Sequence, residues 1–485
     1  MVVGAGIAGL TCAHRIHRAR PDVTLVVLDA GDAAGGKIRT TEIGGLAVDE
    51  AADAFLARGG VAIRLCEELG LADRLVSPAE RRAFVFRHGA LHRFPEAMVL
   101  GVPTDLDTLA ATGLVSEAGI ARAAADLTMP ADGPDAPASG EDESVGALVR
   151  RRVGDEIFEA FVGPLLSGVN AGDADELSLA AGAPQLAAAV ADQPSLIAGL
   201  RAQRAAALDT NPDPDAPVFH GLRGGTQTLT GALVDALPDG AVRTGVRVGA
   251  LTTGNGCYEL TTTSGPTGAI DTIAADAVVL ATPSDATAAL VEELDPGLAD
   301  DLAALEWADV VMVTFVARRD DIDHPLDGSG FLVSDGEGLL MSACSFGSTK
   351  WAHWAPDAPG SPGERVVLRV SAGRHHDRRA NELDDEALTK QLREELADVI
   401  GWHGDPVATR VSRWNCALPQ YRPGHLERAR AWKDRAATHP GLFLTGASYF
   451  GLGIPACITD ATATAAAVVD QLAPISSKAS KEQSP

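Results

Sequence analysis

Lysine is scarce in this chain. Among 485 residues it occupies only positions 37, 350, 390, 433, 478 and 481, and lysine plus arginine number 40 against 66 aspartates and glutamates. The formal net charge is −26, which argues against a nucleic-acid partner and against an anionic membrane surface. An anionic substrate would need a local basic pocket working against that field. The rarity of lysine itself is explained more simply by a GC-rich coding sequence than by function. Paired cysteines are missing too. Cys12, Cys66, Cys257, Cys344, Cys416 and Cys457 show no CxxC spacing, so they read as free thiols in a reducing compartment, not as a zinc site or a disulfide framework. The histidines, including the pair His375-His376, lack metal-ligand spacing, and no metal is expected. No basic region precedes the apolar N-terminus, so no signal peptide is read there. No apolar run is long enough to span a bilayer. The expectation is a soluble, cytoplasmic protein with no transmembrane segment.

What is present starts with the first residues. The opening MVVGAGIAGL sets Gly4, Gly6 and Gly9 in GxGxxG spacing, with Ala5, Ile7 and Ala8 between them, after a strand and before a helix. Gly4 permits the tight turn, Gly6 lets the backbone approach a pyrophosphate, and Gly9 lets helix and strand pack closely. The helix N-terminus offers free N–H groups to the phosphates. A second strand, VTLVVLDA, carries Asp29 and Ala30 at its tip, where a carboxylate can meet ribose hydroxyls. These features bind a dinucleotide, and by themselves do not separate FAD from NAD. Only three residues precede Gly4, about half of an ordinary strand. On that ground Met1 is expected not to be the natural start.

At 46% hydrophobic, the chain can bury a large core and should form two or three domains. Residues 51–150 read as mostly helical, with one extended piece around AFVF. Residues 141–190 also read as helical, broken at GPLLSGVNAGD. The loop NPDPDAP (211–217) suggests a domain crossing. Short strands follow, then alternating runs between 310 and 370 that suggest an antiparallel sheet. The end returns to strand, glycine loop and helix, the helix starting near Ile458. Nucleotide-binding character therefore sits at both ends of the chain, which favours a two-domain flavoprotein.

The stretch GDAAGGKIRTTEIGGLAVDEAADAF resembles the second FAD signature of the amine-oxidase and protoporphyrinogen-oxidase superfamily, through Gly35-Gly36-Lys37, Arg39 and Thr40. DESVGALVRRRVGDEIFEAFVGPLLSGVNAGDADELSL, SFGSTKWAHWAP, RWNCALPQYRPGH and LTGASYFGLGIPACI are similar to the oxygen-dependent protoporphyrinogen/coproporphyrinogen III oxidase family, in its coproporphyrin-forming, Gram-positive type. The matches run over nearly the whole chain.

The resemblance implies an α/β and α+β fold with three domains. A discontinuous Rossmann-type FAD-binding domain covers 1–80, 218–292 and 415–473. An antiparallel-sheet substrate domain covers 81–95 and 293–414, and an inserted helical domain covers 96–217. Residues 474–485 are expected to be a disordered tail. FAD is implied as a non-covalent cofactor, touched by Gly4, Ala5, Gly6, Ile7, Ala8, Gly9, Asp29, Ala30, Gly36, Lys37, Ala52, Asp53, Val248, Trp414, Leu452, Gly453 and Ile454. Lys350 and Trp351 are candidates for the substrate, Lys350 through a propionate. No catalytic side chain is assigned.

The implied reaction is oxidation of coproporphyrinogen III to coproporphyrin III in haem biosynthesis. It takes three two-electron steps with O2 as acceptor and H2O2 as by-product, and transient contact with neighbouring enzymes of the pathway is expected. Protoporphyrinogen IX oxidation is the alternative, followed by another amine oxidase or desaturase of the superfamily. A non-redox binding protein of the same fold is disfavoured by the intact glycines. Two departures stand out. Ala51 replaces a glycine usual in the family, and Ala83, beside Arg81 and Arg82, occupies the place of a propionate-binding arginine in eukaryotic relatives.

Overall fold

The computed structural model describes residues 1–130, 141–210, 213, 216–254, 256–265 and 268–472; the expected tail and part of the loop at 211–217 lie outside them. A parallel five-stranded sheet is assembled from four distant parts of the chain. Its spatial order is Val242–Arg243, Val27–Leu28, Val2–Val3, Val278–Leu280, Leu442–Leu444. Alternation along these strands splits the packing in two. Val2, Val27 and Val279 face a core shared with helices Ile7–Ala19, Gln227–Asp235 and Ile454–Gln471. Val3, Val278 and Leu280 face a second core with the three-stranded antiparallel sheet 246–275 and helices Ser284–Val291, Pro296–Ala303 and His425–Ala436.

A seven-stranded sheet forms the second body, in the order Ala408–Pro419, Trp307–Arg318, Arg365–Ala372, Met341–Phe346, Gly330–Val333, Phe84–Arg87, Ala90–Arg93. It is antiparallel except where Gly330–Val333 runs parallel to Phe84–Arg87. One face, with Val311, Val313, Phe315, Leu368 and Val370, packs on helix Asp385–Ile400. The other face turns Val310, Met312, Val316, Val367 and Trp414 toward the 43–54 segment and Ala171. A separate helical core, from Leu109 to Leu200, covers the remaining side.

Three local expectations change. The 51–150 region is less helical than its pattern suggests. Phe55–Leu56 pairs with Phe219–His220, so a distant partner overrides local propensity, while Phe84–Arg87, read as extended, joins the large sheet. Gly163-Pro164 does not break the helix. The chain continues through a π-type turn at Phe158–Val162, where Gly163 N–H bonds Phe158 O five residues back, into helix Gly163–Asn170. The break within this stretch falls at Ala171, φ +48°. The last helix begins at Ile454, one turn earlier than Ile458, with Pro455 in its first turn. Strand Ala408–Pro419 runs unbroken across residues 414 and 415.

Candidate functional site

The three glycines of the opening turn meet three different surroundings. Gly4 has φ +103°, and a Cβ there would lie 2.9 Å from Ala281 O. A Cβ on Gly9 would lie 1.9 Å from Gly4 O, so helix and strand touch there. At Gly6 a Cβ would meet nothing within 4 Å. Gly6 is also the N-cap of helix Ile7–Ala19, which has no side-chain cap and no acid in its first turn. Open space, uncapped amides and a positive dipole end converge at Gly6, Ile7, Ala8 and Gly9, and this donor set fits a pyrophosphate.

Asp29 shapes that turn. Its carboxylate accepts the amide of Ala5 at 2.6 Å and of Gly31 at 2.7 Å, and each oxygen retains a lone pair for a ribose hydroxyl. Ala30 is exposed beside it. Strand Val246–Gly254 is attached here, because Gly245 and Val246 donate to Gly31 and Asp29 carbonyls. Val248 therefore sits two residues along from the Asp29 tip, in contact with the core behind the sheet.

The second glycine loop closes over the first. Gly35 donates to Ala5 O at 2.8 Å, and Gly36, at φ +59°, would bring a Cβ within 3.2 Å of Gly6 Cα. The side chain of Lys37 reaches strand Ala408–Pro419. Its ammonium donates to the carbonyls of Cys416 and Ala417 and lies 4.6 Å from the Trp307 ring centroid. Burial pushes its pKa down to about 8. Beyond it, Thr40 and Thr226 hydroxyls both donate to buried Asp49, at 2.6 and 2.9 Å. Burial raises the Asp49 pKa, and those hydrogen bonds oppose the shift.

The segment 50–53 is gripped by the large sheet. Trp414 Nε1 donates to Glu50 O at 3.3 Å, and Ser412 donates to the Glu50 carboxylate at 2.9 Å. Ala52 O also lies 2.9 Å from Thr226 Oγ1, whose one proton is shared between it and Asp49. Lys350 and Trp351 do not face an open rim. Lys350 Nζ and Trp351 Nε1 each lie 2.9 Å from the same oxygen of Asp53, and Arg369 approaches it at 3.2 Å. Burial alone would raise the Asp53 pKa, but Lys350 and Arg369 hold it well below the usual carboxylate range. Arg82, a candidate for propionate binding, is exposed and bonded to Glu80.

On the far side, Leu452 packs against the helical core and Ile454 against the core beneath the glycine turn. Gly453 caps helix Ile454–Gln471, again without a side-chain cap or a first-turn acid. The sequence reading missed Asp460 on this helix. Its buried carboxylate accepts Thr445 Oγ1 (2.8 Å) and the amide of Gly446 (3.1 Å), and pairs with Lys433. It thereby fixes Gly446, at φ +128°, near Ala8 and Ala281. Arg369 was missed as well, although a charge inside the apolar run RVVLRVSA was a usable signal. A cavity of about 240 Å³ beside Val333–Met341 shares no lining with these residues, and its arginines Arg374 and Arg379 are held by Asp335 and Asp377.

Among known proteins, a sequence profile described as "Flavin containing amine oxidoreductase" matches residues 7–469. The chain belongs to this family. As a flavin containing amine oxidoreductase it is an oxidoreductase with FAD as its cofactor, and the cradle at Gly6 fits the dinucleotide. Coproporphyrinogen III oxidase of Bacillus subtilis (strain 168) is 32% identical over 94% of this chain and 95% of its own length. The protein of the same name from Mycobacterium tuberculosis H37Rv is 34% identical over 97% of both. A crystal structure of an Exiguobacterium sp. 255-15 protein, assigned as a protoporphyrinogen oxidase, superposes with a TM-score of 0.83 at 30% identity over 97% of this chain and 98% of that one. Among the described residues, no helix is long and apolar enough to cross a membrane.

Proposed function

We propose that this oxidoreductase converts coproporphyrinogen III to coproporphyrin III by three two-electron oxidations, with O2 as the final acceptor and H2O2 as by-product. The observation that carries this reading is the near full-length identity of 32–34% with coproporphyrinogen III oxidases. When bound, FAD supplies a hydride acceptor for the meso carbons of an electron-rich porphyrinogen.

This chain's residues bind and orient. In this reading Gly4, Ala5, Gly6, Ile7, Ala8 and Gly9 hold the pyrophosphate, while Asp29, Ala30 and Val248 border the adenosine. Gly36, Lys37, Ala52, Asp53, Trp414, Leu452, Gly453 and Ile454 surround the flavin portion. Lys350 and Trp351 act on this site through Asp53, to which both are bonded. Val310, Met312 and Trp414 supply an apolar wall that keeps water from the ring. Asp49, Glu50 and Asp53 are each engaged by donors, which suits anchoring better than proton transfer, and no side-chain base is assigned. Six unbridged cysteines suit a reducing, cytoplasmic setting.

The test is the fluorescence of porphyrin formed from coproporphyrinogen III and protoporphyrinogen IX in parallel. A higher kcat/KM for coproporphyrinogen III is expected. A clear preference for protoporphyrinogen IX would overturn the assignment in favour of the second reading, which the Exiguobacterium neighbour supports.

A further inference from the structure

Arg369 lies mid-strand on the sheet face that looks toward the 43–54 segment, and it is 4% exposed. Its Nη2 donates to Ala51 O at 2.6 Å, its Nη1 lies 3.2 Å from Asp53 Oδ2, and its Nε is buried with no hydrogen-bond partner. A guanidinium this buried is costly unless its charge serves something nearby. Lys350 shares the same carboxylate at 2.9 Å. Two cations therefore meet on one carboxylate, and the Arg369 charge also acts on Asp49.

The backbone beside them is unusual. Three successive carbonyls are turned into the protein: Glu50 to Trp414, Ala51 to Arg369 and Ala52 to Thr226. Among the described residues, the amides of Ala51, Ala52 and Asp53 donate to no protein acceptor. Successive free amides next to these two cationic side chains make a site for an acceptor-rich, electron-accepting group. Asp49, at the head of this turn, is tied to Thr40 and so to the loop that closes over Gly6.

We propose that Arg369 is a positioning residue for the flavin. It holds the 51–53 turn with its amides toward the ring and, together with Lys350, supplies the positive charge that favours the electron-rich reduced form. The inference rests on the reading above that this turn borders the flavin.

The test uses the full chain, with FAD titrated into flavin-free protein and the midpoint potential of bound FAD measured by spectroelectrochemistry. R369Q should raise the FAD Kd at least tenfold and move the potential to more negative values. R369K keeps the charge without the fork, so it should weaken FAD while leaving the potential near wild type. D53N removes the opposing charge and should move the potential the other way, to more positive values. Unchanged Kd and potential in R369Q, or a fall in Tm with both unchanged in the folded protein, overturns the proposal. Should R369Q not fold, R369K and D53N decide it: equal Kd in R369K and a negative or absent shift in D53N overturn it. If neither porphyrinogen is oxidised while these flavin shifts appear, the substrate reading fails and this one stands.

Discussion

Gly6 and Gly9 belong to one motif but answer to opposite demands. Gly9 is needed by the protein, since a Cβ would strike Gly4 O at 1.9 Å. Gly6 faces open space at an ordinary φ of −75°, so only a ligand requires it. G9A is therefore expected to cost about 1–3 kcal/mol of stability through overpacking. G6A should leave flavin-free stability within about 1 kcal/mol of wild type and weaken FAD at least tenfold, about 1.4 kcal/mol. Urea unfolding of flavin-free protein and FAD titration separate the two. A G6A protein that binds FAD like wild type would show that the pyrophosphate lies elsewhere.

Helix Ile454–Gln471 shows the same division between fold and ligand on the scale of an element. Gly453, its N-cap, has φ −70°, and a Cβ there would have ordinary contact only with Pro455, at 3.8 Å. An aspartate would cap the helix and add only a few tenths of a kcal/mol over glycine, yet it would place a negative charge where the cofactor is proposed to meet the helix dipole. G453D should raise the Tm of flavin-free protein and lower FAD occupancy. Occupancy equal to wild type would remove this helix from the site.

The preceding helix, His425–Ala436, carries a pH response. His425 is fully buried, stacked 4.1 Å from the Tyr421 ring centroid and bonded to Tyr449 O at 2.8 Å, and burial pushes its pKa down to about 4. In the unfolded chain the imidazole takes a proton near pH 6.5, in the folded chain only near 4. The unfolded state therefore binds more protons between these values, and stability falls as the pH drops through that window, by about 3 kcal/mol in all. H425F should flatten the Tm–pH curve between pH 6.5 and 4, and an unchanged slope would assign the acid sensitivity to other groups.

At the scale of the whole molecule, the proposed FAD site joins parts of the chain that otherwise meet through separate cores. The glycine turn, the 50–53 segment on the large sheet and the Leu452–Ile454 loop beside the helical core all border it. Binding there should stabilise the molecule as a unit. FAD at about 100 times its Kd is expected to add about 2.7 kcal/mol to the unfolding free energy, and a Tm indifferent to FAD would contradict the shared site. No histidine or cysteine of the chain occupies a recognisable flavin-attachment motif. Acid precipitation should therefore release all the flavin into the supernatant, and yellow colour in the pellet would demonstrate a covalent bond.

The residue pattern alone was enough for the glycine turn, the acid at the second strand tip, the antiparallel run after 310 and the family likeness. Each of these is encoded locally, as a backbone angle only glycine adopts, a carboxylate a few bonds from its strand, or a period of two along one segment. The tertiary structure decided the rest. The motif names Lys37, but only the fold shows that its ammonium meets the 416–417 carbonyls and the Trp307 ring. Lys350 looked like a rim cation until it was found on Asp53, 297 positions away in sequence. Phe84–Arg87 reads as extended from its own residues, but that Gly330–Val333 is its partner is visible only in the fold. Such contacts depend on which surfaces the fold brings within a few ångströms of each other, and spacing along the chain carries no record of that distance.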